Sequence, residues 1–141
     1  MIAHLDSSVL LRVVLREPDR LAECDQITVP VTSVLTRVEM ARTMDRNAVL
    51  RTASESELAE KRNEIADLLR RINVVALDDF VLEEAARPLS VVLGTLDAIH
   101  LASAVLHRAS QRDDERPIVF ATHDAQLARA ARAMNFEVIG A

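Results

Sequence analysis

The stretch MIAHLDSS, residues 1–8, decides how the rest of the chain is interpreted. The apolar run over residues 2–5 predicts a short buried strand, and the VLLRVVL that follows has helical spacing. Asp6 lies at the carboxyl end of this strand, where open α/β sheets place ligand chemistry. Asp is also a favoured helix cap, so both roles stay open for Asp6. Ser7 and Ser8 could cap the helix instead and leave the Asp6 carboxylate free.

The composition indicates one globular domain over residues 1–141, since half of the residues are hydrophobic and can form a core. The longest apolar runs fall far short of the roughly 18–20 residues that span a bilayer, and we see no secretory signal. Cys24 is the single cysteine, which excludes an intrachain disulfide. We therefore expect a cytoplasmic protein without a membrane segment. Its net charge of −5 counts against a wholly basic surface for nucleic acid.

Short apolar strands alternate with helical patterns along the chain. Further strands are predicted at residues 26–29, 73–77, 117–121 and 136–139. Pro30 is expected to end the first of these, and SQRDDER, residues 110–116, predicts a surface loop. Ser54 and Glu57 form a capping-box pattern at the start of a helix. Strands that are apolar on both faces predict an α/β fold with a parallel sheet covered by helices on each side.

Four acids are expected at one edge of this sheet. Asp6 follows the first strand, and Asp124 lies two residues beyond the strand end at Thr122. Glu39 and Asp97 lie in the first turns of helices that should face the same crevice. Asp97 is the most informative of the four, because the surrounding LDAIHLASAVL is almost uniformly apolar and a buried, unpaired carboxylate is costly.

Three of these acids also have a purely structural interpretation. Asp97 can stabilise the N-terminus of its own helix, and Asp124 can cap the helix that follows it. Glu39 can pair with Arg37 or Arg42. As a group, however, converging like charges require a cation, and an all-oxygen set suggests Mg²⁺ or Mn²⁺ and not zinc.

The chemistry that best fits this set is phosphodiester hydrolysis. Two hard cations about 3.5–4 Å apart can hold an attacking water and a leaving oxygen in line at phosphorus. Asp6 and Asp97 are predicted as the core metal ligands, and Glu39 and Asp124 would complete the site directly or through water. Hydroxyl groups that could orient water or a phosphate oxygen follow the same two strands: Thr122, Ser7 and Ser8.

His100 lies three residues after Asp97, which places both side chains on one helix face. A mixed Asp–His site is one interpretation of this spacing. The interpretation that we favour is a core histidine whose ring nitrogens are satisfied. His4, inside the first strand, is predicted to be structural.

The segments HLDSSVLLRVVLRE, VTSVLTRVEMAR, LDAIHLASAVLH and VFATHDAQLARAARAMNFEVI occur in this order along the chain. Together they resemble the PIN-domain ribonucleases, and within them the VapC toxins of bacterial toxin–antitoxin pairs. The combination of DAIHLA with the early LDSS and the late THD is quite specific. The acids and the hydroxyl of that family correspond to residues already singled out: Asp6, Glu39, Asp97, Asp124 and Thr122.

The resemblance implies a three-layer α/β/α PIN-like domain with a short, mainly parallel central sheet. It implies a Mg²⁺- or Mn²⁺-dependent endoribonuclease that forms a homodimer and acts on RNA as a toxin. A cognate antitoxin would inhibit it by placing a C-terminal segment in the active-site groove, often with an Arg directed to the acids. Four arginines are candidates for a rim that contacts RNA phosphates: Arg12, Arg16, Arg42 and Arg46.

Three alternatives stay open at this point. A receiver domain needs a Lys near its phosphorylated Asp, whereas the chain has only Lys61, on a polar helix. A haloacid-dehalogenase-like phosphatase needs an Asp two residues after Asp6, where Ser8 stands. A catalytically silent PIN-like binding module is disfavoured by the intact set of four acids.

Overall fold

The computed structural model describes residues 1–111 and 117–141, where helices flank a central sheet. The described strands are β1 (Ile2–Leu5), β2 (Val29–Ser33), β3 (Asn73–Val75), β4 (Ile118–Ala121) and β5 (Glu137–Ile139). The described α-helices are α1 (Ser7–Leu15), α2 (Leu35–Val49), α3 (Glu55–Leu69), α4 (Asp79–Ala85), α5 (Thr95–Ser110) and α6 (Ala125–Ala133). A short 3₁₀ turn, Cys24–Gln26, precedes β2.

The strands form one sheet in the order β3–β2–β1–β4–β5, and every neighbouring pair is parallel. Leu5 of β1 is level with Thr32 of β2 and with Ala121 of β4, so these strands end at nearly the same height. The chain passes from β1 to β2 on one side and returns to β4 on the other. The crevice where strand order reverses therefore lies at the carboxyl end of β1. The predicted parallel α/β fold is confirmed.

Helices cover both faces of the sheet, which gives the three layers that the resemblance implies. Ala3 and Leu5 of β1 pack on one face against α1, α2 and α3, where Met44 is fully buried. Phe120 of β4 packs on the opposite face against α5 and α6, in contact with a cluster that includes Leu127. Alternate strand residues thus supply two cores, which explains why the strands are apolar on both faces.

The prediction for β2 is wrong. The sequence predicts a strand over residues 26–29 that Pro30 ends, but β2 is Val29–Ser33 and contains Pro30. β3 pairs with β2 only from Val31 onward, so the missing N–H of Pro30 interrupts no ladder bond on that side. This later strand brings the start of α2 to the carboxyl edge of the sheet.

The helices follow the predicted pattern more closely. At the start of α3, the Ser54 hydroxyl accepts the Glu57 N–H and the Glu57 carboxylate accepts the Ser54 N–H, as the capping box predicts. α5 extends to Ser110, so the predicted loop begins inside the helix, and its residues 112–116 lie outside the described residues. Within the described ranges, no helix combines the length and apolar character needed to cross a bilayer.

Candidate active site

Asp6 leaves the end of β1 and is only 5% exposed. Its Oδ2 accepts hydrogen bonds from the Ser8 hydroxyl at 2.6 Å and the Thr122 hydroxyl at 3.0 Å, and it caps α1 through the Ser8 N–H. Its Oδ1 lies 3.9 Å from His100 Nε2, beyond hydrogen-bonding distance. Asp6 is therefore the cap of α1, which corrects the idea that Ser7 or Ser8 replaces it. Capping engages Oδ2 and leaves Oδ1 on the side of His100.

The loop after β4 is joined to the loop after β1. The fully buried Thr122 donates its hydroxyl proton to Asp6 and accepts the N–H of Asp124 at 3.0 Å. The N–H of His123 donates to the Ser8 hydroxyl at 3.1 Å. These bonds fix the two loops against each other, so the positions of Asp6 and Asp124 are coupled through Thr122.

Asp124 is the N-cap of α6, as its structural interpretation predicts. Its Oδ1 accepts the N–H groups of Gln126 and Leu127 at 2.8 and 2.7 Å. The residue is exposed, in the loop after β4. Capping through Oδ1 fixes the carboxylate and is compatible with a ligand role for its second oxygen.

Asp97 lies in the first turn of α5 and is half-buried. Burial raises the pKa of Asp97, and the negative charges of Asp124, Asp6 and Glu39 raise it further. Asp97 therefore lies within electrostatic reach of each of the other three predicted acids. The expectation that the helix is buried holds for residues 99–104 but not for either end of the helix.

Glu39 of α2 contacts His100 of α5 across the crevice. The fully buried ring of His100 donates through Nε2 to Glu39 Oε2 at 2.6 Å. Burial alone would raise the pKa of Glu39, but this hydrogen bond, the charge of His100 and a hydrogen bond from Ser7 lower it. Burial would lower the pKa of His100, yet the bond to Glu39 and the charges of Asp6, Glu39 and Asp97 raise it.

His100 is fully buried, as the favoured interpretation of its sequence position predicts. The prediction that both ring nitrogens are satisfied is wrong, because Nδ1 is buried without a hydrogen-bond partner among the described residues. Its position three residues after Asp97 was the available signal. That spacing could not identify Glu39, which is 61 residues away in sequence, as the partner.

The donor set fits a hard divalent cation in its chemistry. It consists of carboxylate oxygens. Burial and the repulsion from neighbouring carboxylates both raise the pKa of Asp97, and a bound cation would relieve that repulsion. Among the described residues, however, no three or more His, Cys, Asp or Glu side chains lie in an arrangement that could hold a metal ion as they stand. The bond between Glu39 and His100 directs Glu39 toward the ring, so the side chains would have to draw together around an ion.

Three of the four arginines suggested for a phosphate-contacting rim form ion pairs. Arg12 pairs with Asp19 and Glu17, Arg16 with Glu64, and Arg42 with Asp45. Arg46 lies in the last turn of α2. Exposed ion pairs contribute little, about 0–1 kcal/mol, so they do not prevent contact with phosphate. The rim stays a prediction.

Comparison with known proteins places this geometry in a family. The model of the PIN domain matches residues 3–133, a range that includes all five predicted site residues. Ribonuclease VapC46 of Mycobacterium tuberculosis (strain ATCC 25618 / H37Rv) is 34% identical over 140 residues, which cover 96% of this chain and 95% of that protein.

Solved structures share the fold. A chain of VapBC2 from Rickettsia felis, bound to a DNA fragment from the promoter, superposes with a TM-score of 0.67 at 11% identity and covers 98% of this chain and 97% of its own. FitAcB from Neisseria gonorrhoeae gives a TM-score of 0.66 at 19% identity, with 98% and 96% covered. A toxin–antitoxin complex from Klebsiella pneumoniae gives 0.63 at 18%, with 97% and 95% covered. The chain therefore belongs to the PIN domain family, in its VapC-type branch.

Proposed function

We propose that this chain is a metal-dependent endoribonuclease that acts as the toxin of a toxin–antitoxin pair. The observation that carries the proposal is the group of carboxylates at the carboxyl end of β1. His100 Nε2 lies 2.6 Å from Glu39 Oε2 and 3.9 Å from Asp6 Oδ1, and burial together with the charges of Asp124, Asp6 and Glu39 raises the pKa of Asp97. Family membership supports the reaction class, since the 34% identical relative is named a ribonuclease. The receiver and phosphatase alternatives do not agree with membership of the PIN family.

Asp6, Glu39, Asp97 and Asp124 are the proposed ligands of Mg²⁺ or Mn²⁺. A bound ion of this kind supplies Lewis-acid stabilisation of the phosphate during displacement. The residues around it have positioning roles. Ser8 and Thr122 fix Asp6 through Oδ2, so that Oδ1 is available to the crevice.

A catalytically silent binding module remains the second candidate. In that role a fixed Arg or Lys beside the acids would relieve their repulsion, because converging like charges raise one another's pKa unless a positive charge lies near them. Among the ion pairs of the described residues, none joins an Arg or Lys to Asp6, Asp97 or Asp124. The absence of an Arg or Lys partner for these three acids among the described residues favours the enzyme.

The proposed partners are RNA as substrate, a cognate antitoxin and a second copy of the chain. The antitoxin has the support of fold relatives that were solved as toxin–antitoxin complexes, including the complex from Klebsiella pneumoniae. The homodimer and the cytoplasmic location stay predictions.

Expression in a bacterial host tests the toxin role. The wild-type chain is expected to arrest growth, and Asp6→Asn is expected to relieve the arrest. Asn can still accept the Ser8 N–H as a cap but lacks the charge that an ion requires. Asp67→Asn, at an exposed ion pair on α3, is the matched control and should remain toxic. Equal toxicity of the wild type and Asp6→Asn at equal protein levels would contradict nuclease action at this site.

A further inference from the structure

We propose that His100 is a positioning residue of this site, whose buried ring fixes the Glu39 carboxylate beside Asp6. This inference rests on the proposed metal-dependent function and adds a residue to it. His100 would act through Glu39 and would not itself contact the ion or the RNA.

The contacts of the ring support this role. Nε2 lies 2.6 Å from Glu39 Oε2 and 3.9 Å from Asp6 Oδ1, so the imidazole stands between two proposed ligands from different elements. Asp97 begins the same turn of α5. The ring therefore links α5 to α2 through a hydrogen bond and lies close to the carboxylate that follows β1.

Glu39 needs such a contact more than the other acids do. Asp6 and Asp124 are short side chains that are fixed as helix caps, whereas Glu39 extends from the second turn of α2 and its side chain is 20% exposed. A long, partly exposed carboxylate loses rotamer freedom when it binds an ion. A bond to a ring that is 0% exposed restricts that freedom in advance.

Core filling alone does not explain the histidine. Nδ1 is buried without a hydrogen-bond partner among the described residues, and this leaves a polar atom unsatisfied. An apolar side chain of similar size would fill the same space without that cost. The gain that offsets the unsatisfied nitrogen is the bond from Nε2 to Glu39.

The same geometry argues against His100 as a direct metal ligand. Nε2 is engaged by Glu39, and Nδ1 is buried. Neither nitrogen is available to an ion unless Glu39 leaves. The ring is therefore placed to orient a ligand.

The test compares Mn²⁺ affinity of the purified chain by titration calorimetry without RNA. His100→Asn cannot reach Glu39 from the position of Nε2, and it is expected to lower the affinity about 10–100-fold, the usual loss when a partner of a metal ligand is removed. His100→Gln can place an amide N–H near Nε2 and is expected to retain most of the affinity. His107→Gln, on the same helix, is the matched control and should match the wild type.

Glu39→Gln supplies the second arm of the experiment. If His100 acts through Glu39, adding His100→Asn to Glu39→Gln should cause no loss of affinity beyond that of Glu39→Gln alone. Equal losses in His100→Asn and His100→Gln, or the same loss with and without Glu39, would overturn the proposal. A folded state shown by circular dichroism is required of every variant that is compared.

A measurement on the metal-free protein tests the contact between His100 and Glu39 independently of the proposed metal-dependent function. If the wild type binds no Mn²⁺, the proposed metal-dependent function is contradicted. The hydrogen bond between His100 and Glu39 can still be detected in ¹H–¹⁵N spectra of the histidine rings. A hydrogen-bonded Nε2–H signal of His100 that shifts in Glu39→Gln supports the fixed contact. A signal that does not change contradicts it.

Discussion

Asp6 divides its two carboxylate oxygens between folding and the candidate site. Oδ2 caps α1 and accepts two hydroxyl protons, and Oδ1 lies on the side of His100. The two roles that the sequence leaves open for this residue are therefore compatible in one side chain. The hydroxyls of Ser8 and Thr122 make that division possible.

Removal of the Thr122 hydroxyl should destabilise the fold. Thr122→Val preserves the shape of the side chain but breaks the bond to Asp6 and leaves the Asp124 N–H without its acceptor. We expect a loss of about 1–3 kcal/mol in the free energy of unfolding, measured with urea. Thr52→Val, whose exposed hydroxyl donates to the Asn47 carbonyl, should stay within about 0.5 kcal/mol. Equal effects of the two substitutions would argue against the network around Asp6.

His4 should make the fold sensitive to acid. Burial, reinforced by the positive charges of His100 and His107, lowers the pKa of His4 to about 3. The unfolded chain binds a proton at this ring near pH 6.5, whereas the folded chain does not until about pH 3. Stability therefore falls as the pH falls through this window, by up to about 1.4 kcal/mol per pH unit from this group.

Urea unfolding at pH 6.5 and pH 5 measures this effect. His4→Leu keeps an apolar side chain under Phe120, on which the His4 ring stacks at 5.6 Å, and should show a shallower dependence on pH. The raised pKa of His100 acts in the opposite sense, and it acts above pH 6.5, so it does not overlap this window. An unchanged slope in His4→Leu would show that His4 is not the group responsible.

The positions of single acids could be predicted because they depend on local sequence. Asp6 follows a strand, and Asp97 begins a helix, and both features are visible within a dozen residues. The contact between Glu39 and His100 depends on how α2 and α5 pack, with 61 residues between them. Local sequence patterns do not indicate which residues of α2 and α5 come into contact.

The start of α3 could be predicted from its capping box, and the contribution of that capping box to stability can be measured. Ser54→Ala removes the side chain that accepts the Glu57 N–H and should lower the melting temperature by roughly 3 °C. Ser56→Ala, two residues later in the first turn of the same helix and also exposed, should change it much less. A comparable decrease in the melting temperature of both variants would contradict a specific contribution from the cap.

β2 shows where prediction of an element fails. Pro30 predicts the end of a strand, because Pro has no N–H to donate to the hydrogen bonds between strands. Whether the missing donor matters depends on where the neighbouring strand begins, and β3 begins its pairing at Val31. The tertiary arrangement therefore decided the boundary.

The molecule as a whole follows from the alternation of apolar strands and helices. That pattern indicates a parallel sheet with two covered faces, and the order β3–β2–β1–β4–β5 places the crevice at β1. Strand order depends on packing choices that the pattern alone leaves open. The assignment of residues 1–141 to one domain stays a prediction.

Cleavage of RNA by the purified chain, freed of any partner, is the most direct test of the central claim. We expect cleavage with Mg²⁺ or Mn²⁺, loss of cleavage in EDTA, and background activity in Asp97→Asn, which keeps the size of the side chain but removes its charge. Asp67→Asn should cleave like the wild type. Cleavage that persists undiminished in EDTA, or in Asp97→Asn, would contradict a metal-dependent ribonuclease at these four carboxylates.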